Sequence, residues 1–429
     1  MRVVLSLLHR TSTSLNTLFG VAAVTVFLVV CSGYVSAQPA PQPAPGASFT
    51  TFTIKSAVLG EDRRILVRTP VGYDANKLSY PVLYMTDGDA HMTHTAGSVE
   101  FLARNGRMSE AIVVGIPNTD RTRDLSPTKP KNTGATGAPE SPTAGGADNF
   151  LKFIETELMP EIGKRYRTTP YRILAGHSLG GLFAVHAMLT KPDLFQSYIA
   201  ASPALNWDNQ VAVKRAETFF KNRKEFNATF FMTIANEPGE LEDAWHQMKQ
   251  VLTRNPSTGF EWEATEMADE DHGTVVLRTH YFALRKIFNG WQIPRDPNTG
   301  GFNGGLKEAD EHYAKLSKKF HYQLTVPEQL INQIGYQHLF AEQVDQAIEV
   351  LKAQVERYPE SANPYDSLGE AYERAGKLDL AVPMYAKAAE IGKQRNDANA
   401  ALFQTNHDRA AGKLKAQKDG TAAPAKATP

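Results

Sequence analysis

One stretch, residues 171–189, constrains the chain more than any other: YRILAGHSLGGLFAVHAML. Apolar, β-prone residues run up to Ala175, then Gly176-His177-Ser178-Leu179-Gly180 interrupts them, and Gly181 follows before an apolar segment of helical character. The pattern reads as a strand, a sharp turn and a helix. A serine at the apex of such a turn has a strained backbone and an outward hydroxyl, and small residues two before and two after it let strand and helix approach closely. The hydroxyl alone is a poor nucleophile, so the pattern predicts a histidine and an acid later in the chain.

Both are found in the expected order. The strand ATFFMTIAN, residues 228–236, runs into EPGELEDAWHQMKQVL, where Glu237, Glu240, Glu242 and Asp243 compete for the acid position. Glu240 is favoured because Pro238-Gly239 break the strand before it, with Glu237 as the alternative; Glu242 and Asp243 suit the start of a helix, where the dipole stabilises them. EWEATEM then alternates as a strand and ends in Ala268-Asp269-Glu270-Asp271-His272-Gly273, ahead of the helical segment TVVLRTHYFALRKIF. His272 therefore lies in a turn where a last strand presents a general base. His186, His246 and His280 fall inside helical segments and His177 inside the elbow.

Upstream, FTTFTIKSAVLGEDRRILVRTPVGYD alternates around a glycine turn and predicts an antiparallel pair. The apolar run PVLYM, residues 81–85, predicts a strand buried on both faces, ending in Asp87-Gly88-Asp89. The backbone N–H groups of Asp89 and Leu179 are the candidate oxyanion hole. His91 and His94 with Asp87 and Asp89 would be a metal cluster only on weak grounds, since three-residue histidine spacing on a loop is no zinc signature. AIVVGI, residues 111–116, predicts another buried strand, followed by NTDRTRDLSPTK. There Arg121 and Arg123 either clasp Asp124 or line the substrate site. Trp207 is either the wall of an acyl or aromatic pocket or a core residue. Residues 128–146 read as a mobile loop, and 148–167 as a helix kinked by Pro160.

The ends of the chain carry different signals. Arg2, His9 and Arg10 precede an uncharged apolar run over about residues 18–30, and Val35-Ser36-Ala37 offers a small-x-small cleavage site, so residues 1–37 read as an export signal, with an uncleaved anchor as the alternative. Cys31, the only cysteine, would leave with it, and Val30 argues against lipoprotein processing. Residues 38–48 form a Pro-rich linker. With 46 basic and 46 acidic residues, net charge gives no argument for a nucleic-acid partner. The expected location is periplasmic or secreted, without stable membrane insertion after signal removal. Beyond a linker at 296–305, Ile334-Gly335-Tyr336 recurs as Leu368-Gly369-Glu370 and Ala347 as Ala381, both at an offset of 34. That period resembles the tetratricopeptide repeat and predicts a helical domain over 306–414, able to hold a protein partner or a second copy, followed by a disordered tail at 415–429.

Together, GHSLGG at Ser178, VLYMTDGDAHM at residues 82–92, VVGIPNTDRTRDLSPT and DEDHG at His272 resemble the putative-esterase branch of the α/β-hydrolases over residues 49–294. That branch holds enterobactin-type siderophore esterases, feruloyl esterases, formylglutathione hydrolases and mycolyltransferases, and the likeness is greatest on the siderophore-esterase side. The resemblance implies an α/β-hydrolase fold, a mostly parallel sheet with helices on both faces, over 49–295. It implies Ser178 as nucleophile and His272 as base, acting on a small-molecule carboxylic ester through an acyl-enzyme, with no metal or organic cofactor. Acyl transfer to an alcohol by the same residues, and a scaffold acting through the repeats, are the competing functions.

Overall fold

The computed structural model describes residues 49–130, 142–298, 302 and 304–420. The export signal, the Pro-rich linker, Cys31 and the end of the tail lie outside the described residues, as does much of the loop expected at 128–146. Eight strands form one sheet: β1 (Thr50–Ser56), β2 (Glu61–Arg68), β3 (Tyr80–Thr86), β4 (Ile112–Ile116), β5 (Thr168–His177), β6 (Ser197–Ala201), β7 (Glu225–Ala235) and β8 (Thr258–Met267). Their order is β1-β2-β4-β3-β5-β6-β7-β8. The first two pairings, β1 with β2 and β2 with β4, are antiparallel, and every later one is parallel.

The apolar runs become strands buried on both faces because successive side chains alternate between two helical layers. In β3, Val82 and Tyr84 enter a core on one face, and Leu83 and Met85 a core on the other. The second of these cores is closed by α1 (Gly88–Arg104) through Met92, Val99 and Leu102, and by α8 (Val275–Ile287) through Ala283, Leu284 and Ile287. The first is closed by the helices that follow β4, β5, β6 and β7. These are α2 (Arg121–Leu125), α3 (Ala147–Phe153), α4 (Met159–Arg165), α5 (Leu179–Thr190), α6 (Trp207–Asn222) and α7 (Glu240–Arg254). Between α3 and α4 the helix passes through a π-helical turn, Ile154–Leu158, just ahead of Met159 and Pro160.

Near the sheet's antiparallel edge, Arg63 of β2 is buried with its guanidinium 2.5 Å from Asp124 of α2, itself buried, and it also donates to the Pro117 carbonyl at 3.1 Å. Arg123 donates to Asp124 at 2.7 Å and to Glu61 at 2.6 Å. A buried charge is tolerated only with its partner in place, and here two arginines pair with two acids, while Arg63 Nε is left without an acceptor. The sequence left Arg123 open between clasp and substrate site, and the structure makes it a clasp.

The C-terminal part is all-helical: α9 (Leu306–Phe320), α10 (Glu328–Phe340), α11 (Val344–Arg357), α12 (Ala362–Arg374), α13 (Leu378–Gln394) and α14 (Ala400–Lys418). The 34-residue offset has a physical counterpart, since Gly335 abuts Leu351 and Gly369 abuts Tyr385 where a Cβ would not fit. Tyr336 donates to Glu370, 34 residues on, at 2.8 Å. The helix α14 runs to Lys418, past the point where the sequence suggested a disordered tail. The arm is joined to the sheet by α9, whose Leu316 and Phe320 enter the same core as α1 and α8. The Phe320 ring lies 4.9 Å from Tyr171 and 5.1 Å from Phe288, centroid to centroid.

Candidate active site

Residues with chemistry gather at the carboxyl edge of the parallel strands, where an open α/β sheet presents its ligand site. β5 delivers Ser178 between strand and α5 with φ 58° and ψ −116°, a conformation costly for a residue with a Cβ. The elbow is pinned by its own backbone. Ser178 N–H donates to Ala201 O at 2.9 Å, and Ser178 O accepts from Leu182 N at 2.9 Å and from Ala204 N at 3.0 Å. A Cβ on Gly176 would sit 2.0 Å from Gly180 O, and one on Gly180 2.2 Å from Thr86 Oγ1, so only glycine lets strand, helix and β3 meet here. Leu179 opens α5 and Asp89 stands in the first turn of α1, positions whose amides have no acceptor within their own helix.

His272 lies in the turn after β8. Its Nδ1 hydrogen-bonds Glu237 Oε1, and the two side chains are 45% and 13% exposed. A carboxylate accepts, so Nδ1 carries a proton, and in the neutral ring Nε2 is the nitrogen left to accept one. Glu237 Oε2 also accepts from the Ala235 amide at 3.2 Å. Burial opposes ionisation of Glu237, but hydrogen bonds from His272, Ser202 and the Ala235 amide outweigh it and hold its pKa below the ordinary value.

Glu240, the acid favoured by the sequence, is not beside the histidine. It is exposed as the first residue of α7, where it lines a polar groove with Asn206, Asp243 and His246. The reason is register. β7 and β8 pair up to Ala235 and Met267, and Asn236 N–H donates to Glu270 O at 3.0 Å, so the first residues past β7 stay against the His272 turn. Gly239, at φ 113°, then sends the chain into α7 and carries Glu240 away.

Arg121 and Trp207, the other candidate substrate contacts, both have partners within the fold. Arg121 Nε donates to Asp87 Oδ1 at 2.6 Å, and its Nη2 to Asp87 Oδ2 and to His177 O, each at 3.1 Å. Asn118 adds a bond to Asp87 Oδ1 at 2.6 Å. Burial raises the Asp87 pKa, yet Arg121 and Asn118 more than reverse this and leave it below the usual carboxylate range. This network, which the sequence did not reveal, braces the base of the elbow. Trp207 is buried in the core with its indole N–H on Thr128 O at 3.2 Å.

His91 and His94 project from α1 into a group of imidazoles with His177, His272 and His280. The ring centroids of His91 and His177 are 5.4 Å apart, those of His91 and His94 5.3 Å, and those of His177 and His272 4.6 Å. Among the described residues no group of three or more His, Cys, Asp or Glu is arranged to hold a metal ion. His280 is fully enclosed, its Nδ1 2.8 Å from Thr95 Oγ1, and burial first, then its imidazole neighbours, keeps its pKa well below the ordinary value.

A mostly parallel sheet sandwiched by helices, with a strained serine elbow after β5 and a histidine–carboxylate pair after β7 and β8, defines an α/β-hydrolase. The sequence model of the "Putative esterase" family matches residues 56–268. Ferri-bacillibactin esterase BesA of Bacillus subtilis is 33% identical over 230 residues, covering 48% of this chain and 79% of that protein. The apo-salmochelin esterase of Escherichia coli is 30% identical over 41% of this chain and 60% of its own length. Among solved structures, an IroE-like serine hydrolase from Shewanella oneidensis superposes with a TM-score of 0.62 at 27% identity, covering 72% of this chain and all of that one. The chain belongs to this esterase family and is a carboxylic ester hydrolase.

Proposed function

We propose that the chain is an exported serine esterase that opens siderophore-type ester bonds through Ser178, His272 and Glu237. The observation that carries the reading is the Glu237–His272 hydrogen bond in the turn that touches the serine elbow. In this scheme His272 Nε2 takes the Ser178 proton as Oγ attacks the ester carbonyl, and Glu237 stabilises the imidazolium. The Leu179 and Asp89 amides hold the tetrahedral oxyanion, where loss of one donor typically costs about 3 kcal/mol. Collapse expels the alcohol, which takes the proton back from His272, and water then releases the acid from the acyl-enzyme by the same route.

The substrate class is supported by relatives whose names specify ferri-bacillibactin and apo-salmochelin. Arg121 and Arg123, the cations offered for the substrate site by the sequence, are both paired with carboxylates. Export, to the periplasm or the medium, rests on the leader at 1–37; among the described residues no helix is long and apolar enough to cross a membrane. The test is single-turnover hydrolysis of p-nitrophenyl esters, feruloyl esters and ferric tri-catecholate lactones, with Ser178→Ala as control. Serine-dependent cleavage selective for the lactone is the expected result. Undiminished turnover by Ser178→Ala would sink the site assignment, and activity confined to short-chain esters would sink the substrate class.

A further inference from the structure

The turn that carries His272 satisfies most of its backbone internally. Glu270 N donates to Met267 O, Asp271 Oδ1 accepts from the Gly273 and Thr274 amides, and Val275 N donates to Asp271 O, at distances from 2.8 to 3.1 Å. The Glu270 carbonyl is taken by Asn236. The carbonyl of His272 itself is bound from outside the turn, by His177 Nε2 at 2.7 Å. A carbonyl only accepts, so His177 is the tautomer with hydrogen on Nε2. Its ring packs against that of His272 on one side and edge-on against His91 on the other.

We propose that His177 is a positioning residue for the esterase reaction, setting the distance and angle between Ser178 and His272 by holding the His272 carbonyl. The inference rests on the Ser178–His272 assignment above. Glu237 fixes His272 at its side chain, and His177 fixes it at its main chain. Two anchors define an orientation where one leaves a rotation. Because His177 is joined covalently to Ser178 within the strained elbow, the unit that aims the hydroxyl also sets where the base stands. Displacement of about 1 Å in such a constellation costs on the order of 100-fold in rate.

The state of the ring suits this task. Burial, then the neighbouring His272 and His91, push the His177 pKa down to about 4, so near neutral pH the ring is an uncharged donor. It therefore places no positive charge beside an imidazole that must become positive during the reaction. The brace continues beneath it, since Arg121 holds the His177 carbonyl at 3.1 Å and Asp87 holds Arg121.

Two amide substitutions separate a positioning role from a merely structural one. Glutamine carries an N–H near the place of imidazole Nε2 and reaches the His272 carbonyl; asparagine has the same chemistry and stops short. In the full chain, His177→Asn should lower kcat on a soluble p-nitrophenyl ester by about 100-fold with KM within twofold, and slow fluorophosphonate labelling of Ser178 in parallel. His177→Gln should recover kcat to within about fivefold of the parent. Equal loss in both variants, equal retention in both, or a loss expressed in KM would overturn the proposal. Thermal melts of both variants separate a folding defect from mispositioning, and a drop in kcat matched by a lost melting transition counts against it. Ser178→Ala and His272→Ala run alongside: if either turns over normally, the underlying assignment fails with it. If both are inactive while His177→Asn is normal, only the positioning role fails.

Discussion

The most informative perturbation is Glu237→Gln, set against Glu240→Gln. Glutamine can still accept the His272 Nδ1 hydrogen through its oxygen, so the ring keeps its orientation and loses its counter-charge. Two unit charges about 4 Å apart interact by about 4 kcal/mol at an effective dielectric of 20 and about 1 kcal/mol in water. Glu237 is 13% exposed and His272 45%, so the pair lies between these limits. A value of about 2.5 kcal/mol corresponds to a loss of roughly 70-fold in kcat. Glu237→Ala also removes the acceptor and adds the worth of an orienting hydrogen bond to a charged group, about 1.5 kcal/mol, for a total near 1,000-fold. Glu240→Gln, at an exposed site in a separate groove, should leave kcat within twofold. Steady-state turnover of a p-nitrophenyl ester reads all three. If Glu240→Gln falls as far as Glu237→Gln, or Glu237→Gln retains full kcat, the reasoning from the Glu237–His272 bond is refuted.

Two further outcomes concern stability. Asp87 has φ 54°, a left-handed conformation that asparagine also tolerates, so Asp87→Asn mainly removes the charge facing Arg121. Because the folded pKa of Asp87 lies below its ordinary 3.8, its contribution is complete above that pH and is lost as pH falls through the folded value. Urea midpoints measured from pH 7 to pH 2.5 should thus decline less steeply below pH 4 in Asp87→Asn than in the parent, and parallel curves would contradict the pairing. Phe320→Ala empties a fully buried ring site between the arm and the sheet and should cost about 3–5 kcal/mol. Loss of ester turnover and loss of helical signal should shift to lower urea together; separate shifts would show that α9 does not share the hydrolase core.

The local chemistry of the chain was written in short stretches of sequence. GHSLGG flanked by an apolar strand and an apolar helix allows little but an elbow, because the turn needs glycines where Gly176 and Gly180 nearly touch their neighbours. Continuous apolar runs specified strands buried on two faces, and the 34-residue offset specified helices meeting at small residues. What the sequence could not decide was which of several like residues the fold brings together. Glu237 and Glu240 differ by three positions and both suit a loop after a strand, and the break at Pro238-Gly239 favoured Glu240, the one that lies away from His272. Only the pairing of β7 with β8, and the turn at Gly239, keep the first beside His272 and send the second onto α7. Arg121, Arg123 and Trp207 stayed open between structural and substrate roles because a linear chain does not show Asp87, Glu61 and Thr128 arriving from other elements to bond them. His177 and His272 are 95 residues apart, and their bond exists because parallel strands β5 and β8 end on one edge of the sheet. Periodicity and turn chemistry are properties of neighbours along the chain; hydrogen-bond partners across a sheet edge are set by strand order and register, which only the folded structure supplies.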